Sequence, residues 1–158
     1  MVLLDMLEEI DFVKDFAPEY LGYLAALGEL REYPPDTVLF EEGKESYHVY
    51  LLVTGKVELA MRVPGVGSMP IQTVGAGELL GWSPVLQLGP MTATARALTR
   101  CRIVVLNVRR LLEICEEAPH FGMEFLRRTS ATMAQRLSAT RLRLLNLLSV
   151  SCGAGTLG

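Results

Sequence analysis

The sequence has no uninterrupted apolar stretch of about 18 residues, the length that a membrane-spanning helix needs, so no membrane protein is expected. Its 158 residues include only three cysteines, without the CxxC spacing of a zinc ribbon or the density of a disulfide framework. The first residues lack the basic leader and cleavage site of a secretory signal. These absences predict one domain in a reducing, cytoplasmic setting. The 50% hydrophobic and 21% charged residues are the balance of a folded globular chain.

Patterns that would indicate an enzyme or a metal centre are also missing. Ser83 stands in Gly-Trp-Ser-Pro, which is not the Gly-x-Ser-x-Gly turn of a serine hydrolase, and no Cys–His signature occurs. Four scattered residues could in principle ligate a metal or haem, but their spacing matches no such site: His48, Cys101, Cys115 and His120. The sequence therefore predicts neither catalysis nor a bound metal.

Charge is unevenly distributed along the chain. Residues 1–45 carry 12 acidic and 3 basic residues, a net charge of −9, whereas residues 121–148 carry five arginines and one glutamate, a net charge of +4. A basic helix can bind nucleic acid, but a solvated helix face, or one that docks on the acidic head, is the favoured explanation. The overall net charge of −3 disfavours a strong binder of the phosphate backbone, so no direct nucleic-acid contact is expected.

Hydrophobic spacing predicts helices at both ends of the chain and strands between them. Helical spacing covers the first third as far as Gly28, and Pro34–Pro35 ends it. Short β-branched runs separated by Gly and Pro then indicate an antiparallel sandwich or roll. The predicted strands are Thr37–Phe40, Val49–Val53, Val57–Val63, Ile71–Val74, Thr92–Leu98 and Ile103–Val108.

A long helix is predicted from about Phe121 to Leu148. Two rows of its residues alternate at three and four positions over about three heptads. The rows are Leu126, Met133, Thr140 and Leu147, and Ser130, Leu137 and Leu144. This seam could pack on the chain's own sheet, but its length and narrowness favour another helix, and a homodimer is the simplest partner.

The segment Gly75–Trp82 is the clearest candidate for ligand chemistry. It is predicted to join a strand to a short helical turn. Glycines let backbone N–H groups approach an anion, and Glu78 could accept hydrogen bonds from sugar hydroxyls. A Gly-rich segment in a β protein is also commonly just a turn.

A wider succession of motifs is more specific. It consists of Phe40-Glu-Glu-Gly43, Tyr50-Leu-Leu-Val-Thr-Gly-Lys-Val-Glu-Leu59, Gly77-Glu-Leu-Leu-Gly81, Ala93-Thr-Ala-Arg-Ala97, and Met133-Ala-Gln-Arg-Leu137 with Thr140. This succession resembles the cyclic nucleotide-binding domain family, specifically the sensor domain of bacterial catabolite activators, over about residues 30–148. The resemblance implies an α+β, mainly β fold, with a β-roll flanked by helices and a long C-terminal dimer helix.

The resemblance also implies an organisation and a ligand site. The N-terminal helices would span 1–30, the roll 31–110, the C-terminal helices with the dimer helix 111–148, and a flexible tail 149–158. The ligand would be a cyclic nucleotide such as cyclic AMP or cyclic GMP. The implied site residues along the phosphate loop are Gly77, Glu78, Leu79 and Leu80, and Glu78 would contact the ribose. Met91 would lie at the phosphate position, and Thr92 would be the small hydroxyl residue. On the long helix, Thr140 would contact the purine edge and Arg136 would face Glu78.

One implied position departs from the family pattern. Met91 stands where the phosphate-binding arginine is expected, and Arg141 replaces a small polar residue beside the purine. Arg96 lies five residues after Met91, and an odd separation in a strand places two side chains on opposite faces. Loss of a charge-assisted contact costs about 1.5–3 kcal/mol, or roughly 10- to 150-fold in affinity.

Two functional hypotheses follow. The first is a small-ligand sensor and regulatory domain that works as a homodimer, without its own DNA-binding domain, and whose ligand need not be cyclic AMP. The alternative is a degenerate domain that binds no nucleotide and serves as a dimeric scaffold for a protein partner. A DNA regulator is not expected, because only about ten residues follow the long helix, too few for a helix-turn-helix.

Overall fold

The structure is a computed structural model that describes the backbone of residues 2–156 and the side chains of residues 3–151. Its helices are α1 (Val2–Glu8), α2 (Pro18–Leu27), α3 (Val108–Glu117) and α4 (Pro119–Thr156), with a short 3-10 helix at Asp11–Val13. Its strands are β1 (Gly28–Tyr33), β2 (Val38–Phe40), β3 (His48–Thr54), β4 (Val57–Val63), β5 (Gly67–Val74), β6 (Leu79–Leu80), β7 (Thr94–Ala97) and β8 (Cys101–Asn107).

The strands form two four-stranded antiparallel sheets, in the orders β1-β8-β3-β6 and β2-β7-β4-β5. One apolar core draws side chains from both sheets, which is the arrangement of a roll. Its members include Phe40, Leu52, Val57, Val74 and Ile103, all buried. The predicted α+β roll with a long C-terminal helix is therefore confirmed.

Each of the six predicted strands overlaps an observed one, and Val57–Val63 matches β4 at both ends. The other two strands carry weak sequence signals. β1 is rich in charged residues, and it is a strand because it pairs along its whole length with β8 from Gly28↔Leu106 to Tyr33↔Cys101. β6 is only two residues long, lies within the segment that was predicted to join a strand to a short helical turn, and was not itself predicted. Leu80 pairs with Tyr50 of β3, and turns follow the segment at 83–87.

Aromatic side chains join the N-terminal helices to the start of α4. The rings of Tyr20 and Tyr23 lie 5.5 Å and 5.4 Å from the ring of Phe121, in edge-to-face geometry, and Phe16 lies 6.3 Å from it. Such pairs stabilise a contact by about 0.5–1.5 kcal/mol beyond the area that they bury. The aromatic residues of this N-terminal region are therefore packed against the first turn of α4.

The chain divides into two compact units, residues 1–123 and residues 124–158. The first contains the roll, α1 to α3 and the start of α4. The second is the remainder of α4, which continues to Thr156 and so extends eight residues beyond the predicted end at Leu148. The flexibility predicted for 149–158 stays a prediction, and residues 157–158 lie outside the described part of the chain. No described helix is long and apolar enough to cross a bilayer.

Candidate functional site

The glycine-rich loop between β5 and β6 is fixed to the neighbouring strand β3. The Gly77 N–H donates to the Leu52 carbonyl at 2.7 Å, and the Leu52 N–H donates to the Glu78 carbonyl at 3.0 Å. Within the loop, the Gly75 N–H donates to Oε2 of Glu78 at 2.6 Å. The Glu78 side chain is half-buried, and this charge-assisted bond holds its carboxylate against its own loop.

Gly77 in this loop and Gly81, directly after β6, are required by their conformation and by their neighbours. Gly77 and Gly81 have φ angles of +89° and +78°, in the region that other residues rarely adopt. A Cβ on Gly77 would lie 2.9 Å from Oδ2 of Asp11, and one on Gly81 would lie 3.0 Å from Cδ2 of Tyr50. The Phe12 N–H also donates to the Gly77 carbonyl at 3.0 Å. The 3-10 helix therefore supports the loop, a role that no local sequence signal could reveal.

Met91, at the implied phosphate position, belongs to the apolar core of the roll. Its side chain is 4% exposed and lies in the same buried cluster as Phe40, Tyr50 and Leu80. Its backbone is fixed by two hydrogen bonds to the turn after β2: its N–H donates to the Lys44 carbonyl at 2.9 Å, and its carbonyl accepts from Gly43 at 2.8 Å. The position that the resemblance assigns to a cation is therefore an apolar filler of the core.

The residues after Met91 alternate between the inside and the outside of the roll. Ala93, Ala95 and Ala97 are buried, whereas Thr92 and Arg96 are exposed. Arg96 pairs with Glu58 of β4 and Val38 of β2 in the sheet register, and its Nη1 lies 3.4 Å from the Asp36 carbonyl. The guanidinium of Arg96 thus lies on the opposite face from the Met91 side chain.

The remaining residues of the loop region differ in burial. Leu79 and Leu80 are fully buried and contribute packing rather than polar contacts. Trp82 is half-buried, and Leu88 is 59% exposed, so Leu88 does not fill the roll. Unlike Trp82 and Leu88, Met91 is buried in the core.

A cavity of ≈ 460 Å³ lies against the outer side of the loop, on the side of the N-terminal helices. Its charged lining residues are Asp5, Glu9, Asp11 and Arg102, and Thr54, Ala76 and Gly77 also contribute to its wall. Three carboxylates against one guanidinium make this cavity a poor receptor for an anion, since like charges repel. This cavity therefore does not provide an alternative to the phosphate site that the resemblance places at Met91.

The candidate residues on α4 belong to the second unit. The hydroxyl of Thr140 is exposed and donates to the Arg136 carbonyl at 2.8 Å, one turn earlier on the same helix. Arg136 is half-buried and Arg141 is exposed. The Glu78–Arg136 ion pair and the purine contact of Thr140 stay predictions.

Cys101 and Cys115, the two cysteines whose side chains the structure describes, have structural surroundings. The Cys101 thiol is buried, with Sγ 3.4 Å from the Lys56 carbonyl and 3.3 Å from the Thr99 carbonyl. Burial raises the pKa of the half-buried Cys115 thiol, which lowers its reactivity. Among the described side chains, no group of three or more His, Cys, Asp and Glu lies close enough together to hold a metal ion.

Comparison with known proteins agrees with this architecture. The family model of the cyclic nucleotide-binding domain matches residues 30–118. A solved structure of a cyclic nucleotide-binding domain from Methylobacillus flagellatus superposes with a TM-score of 0.79 at 26% identity, covering 91% of this chain and 81% of the other.

Two curated relatives come from Mycobacterium tuberculosis. The "CRP-like cAMP-activated global transcriptional regulator" is 25% identical over 117 residues, which is 74% of this chain and 50% of the relative. The "HTH-type transcriptional regulator Cmr" is 28% identical over 139 residues, which is 84% of this chain and 53% of the relative. The chain thus spans about half the length of the curated relatives that it matches.

Proposed function

Because the chain belongs to the cyclic nucleotide-binding domain family, we propose that it is the ligand-sensing module of a regulatory protein and performs no catalysis itself. The observation that supports this proposal is the Gly75–Gly81 segment, whose backbone is fixed by hydrogen bonds to β3 and whose Glu78 carboxylate is half-buried. A carboxylate held in this way can accept hydrogen bonds from the hydroxyls of a sugar. Glu78 is thus the residue that would orient a nucleoside-like ligand, in the cytoplasmic setting that the sequence predicts.

The ligand need not be cyclic AMP. Met91 leaves the core of the roll without the cation that would balance a phosphate, and Arg96 lies on the outer face. An anion buried without such a partner bears an uncompensated desolvation cost. Cyclic AMP and cyclic GMP should therefore bind roughly 10- to 150-fold more weakly than they would to a roll with an arginine at this position.

Isothermal titration of the folded chain with cyclic AMP and cyclic GMP tests this function. Weak saturable heat is expected, and it should disappear in Glu78→Ala, because that variant lacks the ribose acceptor. Leu88→Ala is the matched control, since Leu88 is exposed and should leave binding unchanged. The absence of any heat at millimolar nucleotide, from a sample that is folded by circular dichroism, would reject the nucleotide-sensing version.

The burial of Met91 favours a second candidate function. If Met91 closes the interior, the domain binds no nucleotide and serves as a dimeric scaffold for another protein. Replacing Met91 by alanine separates the two functions, because it opens a space beside Leu80 and Tyr50 without supplying a cation. If Met91 occludes the interior, nucleotide binding should be absent in the natural chain and should not exceed weak binding in the variant, whereas a sensor that only lacks the cation should bind with similar weak affinity in both.

A homodimer through the helix 121–148 is part of the same proposal. The seam residues Leu126, Leu137, Leu144 and Leu147 are all exposed in the single chain, as a face reserved for a partner helix would be. Light scattering should give the mass of two chains for the natural sequence and of one chain for Leu137→Glu/Leu144→Glu. A monomeric natural protein at micromolar concentration would contradict this assignment.

A further inference from the structure

The interior of the roll holds no cation among the residues that the structure describes. Between Gly28 and Asn107 the chain has seven lysine and arginine residues, and six of them are exposed. These six are Arg31, Lys44, Lys56, Arg62, Arg96 and Arg100. The buried cluster at the centre of the roll consists of apolar side chains, the Tyr50 phenol and the Cys101 thiol. This cluster contains nothing that balances a buried negative charge.

The two half-buried basic groups of the strands do not supply that charge either. Arg102 lines the acidic cavity outside the glycine-rich loop, with Nη2 3.7 Å from Sδ of Met6 and Nε 3.9 Å from Oε1 of Glu32. Burial and the charge of the nearby Arg31 lower the pKa of the His48 imidazole, so it is uncharged at pH 7. A ligand inside the roll therefore meets no positive charge from the described strand residues.

Glu78 presents the opposite charge to such a ligand. It is the only ionisable side chain of the Gly75–Gly81 segment, and its Oε2 already accepts the Gly75 N–H at 2.6 Å. Within the described part of the chain, no donor contacts its Oε1. A carboxylate oxygen accepts hydrogen bonds from hydroxyl groups and repels an anion, more strongly where water is partly excluded. Glu78 thus favours a hydroxyl donor and disfavours a phosphate.

We propose that the ligand of the roll is an uncharged compound of the nucleoside class, with a free diol, rather than a cyclic nucleotide. This inference rests on the proposed function, because it concerns the same site. The diol would donate to Oε1 of Glu78, and the apolar surface around Met91 would face an uncharged part of the ligand. Such a compound avoids the desolvation cost that an anion bears where no cation faces it.

Calorimetric titration of the full chain with matched compounds tests the charge and the diol separately. Adenosine or guanosine should bind at least about tenfold more tightly than the cyclic nucleotide with the same base. The methyl triester of cyclic AMP keeps the base and both rings but has no charge, so it should bind more tightly than cyclic AMP. Without the diol, 2′,3′-dideoxyadenosine should bind about 10- to 150-fold more weakly than adenosine.

Variants locate the discrimination at this site. Glu78→Gln removes the negative charge and keeps an acceptor oxygen, so it should narrow the difference between adenosine and cyclic AMP severalfold. Glu58→Gln is the matched control, because Glu58 lies opposite the exposed Arg96 in the sheet and should leave both affinities unchanged. Met91→Arg adds the missing cation and should reverse the preference. If that variant does not fold, the comparison of ligands on the natural chain still decides.

The possible outcomes distinguish this inference from the proposed function. An affinity for cyclic AMP equal to or greater than that for adenosine would overturn the inference and leave the sensor function standing. Equal binding of cyclic AMP and its triester, or of adenosine and its dideoxy analogue, would also overturn it. Binding of adenosine with no detectable binding of cyclic AMP would support it. If a folded sample binds none of the compounds, the proposed function fails and this inference fails with it.

Discussion

Replacing Met91 by arginine should convert this domain into a tighter receptor for cyclic nucleotides. The backbone at this position is held on both sides by the turn at 43–44, so the new side chain would start from the same place as the methionine. Its guanidinium would supply the cation that the core lacks at the implied phosphate position. The gain expected in affinity is roughly 10- to 150-fold, the value of one charge-assisted contact of about 1.5–3 kcal/mol.

The same substitution should destabilise the free protein. Met91 is 4% exposed among apolar neighbours, and an uncompensated charge at such a place costs about 3–5 kcal/mol. For a domain of this size, about 1 kcal/mol corresponds to about 2–4 °C in Tm. The free energy of unfolding of the ligand-free variant should fall accordingly, with Tm lower by roughly 6–20 °C.

Nucleotide should recover much of this loss. Ligand at about 100 times Kd adds about 2.7 kcal/mol to the free energy of unfolding, so cyclic AMP should raise the Tm of the arginine variant by about 5–11 °C. The natural chain at the same concentration should shift far less. Thermal unfolding with and without nucleotide, together with calorimetric titration, measures both effects in one set of samples.

Two control variants make the result interpretable. Met69→Arg adds the same charge on an exposed strand and should neither unfold the chain nor gain nucleotide affinity. Met91→Lys keeps a cation at position 91 and should show part of the gain if the arginine variant is too unstable to purify. A folded arginine variant whose Tm does not respond to cyclic AMP would refute the assignment of Met91 to the phosphate position.

Further predictions concern the loop and the long helix. Glu78→Gln should lower the free energy of unfolding by about 1–2 kcal/mol in a urea titration, because it loses the charged acceptor of Gly75. Gly77→Ala should destabilise more than Gly65→Ala: both residues have left-handed φ, but a Cβ meets Asp11 only at Gly77, and equal losses would contradict this contact. Arg127 and Arg128, one turn later on the helix, lower the pKa of Glu124 to about 2. The contribution of Glu124 to the free energy of unfolding is therefore complete above its ordinary pKa of about 4.5 and disappears as the pH falls towards about 2. Glu124→Gln should therefore lower stability at pH 7 by less than about 1 kcal/mol and flatten the acid limb of the pH–stability curve.

The roll was largely predictable because its strands carry local signals. β-branched runs, interrupted by glycine and proline, mark β3, β4 and β8 directly in the sequence. The strand β1 could not be predicted in the same way, because its charged residues resemble a loop. Its strand structure depends on pairing with β8, about 75 residues later, and no local pattern encodes a partner so distant.

The sequence was sufficient to predict which residues belong to the candidate site, but not which contacts those residues make. The motif Gly77-Glu78 and the methionine at position 91 are visible in the sequence. The support of Gly77 by Asp11 and Phe12 is not, because the two segments meet only in the folded chain. The burial of Met91 in the core likewise follows from the packing of both sheets around it rather than from its neighbours in sequence.

Two backbone hydrogen bonds hold Met91 to the turn at 43–44. Its side chain, fixed in the core in this way, can serve as a natural spectroscopic probe. The chain has seven methionines, and Met61, Met69 and Met123 are exposed, so the ε-methyl group of Met91 should resonate apart from theirs. Carbon-13 labelling of the methionine methyls would then show, by the shift of this one signal, when a molecule enters the interior of the roll. No engineered tag would be needed, and the readout would be independent of which compound enters.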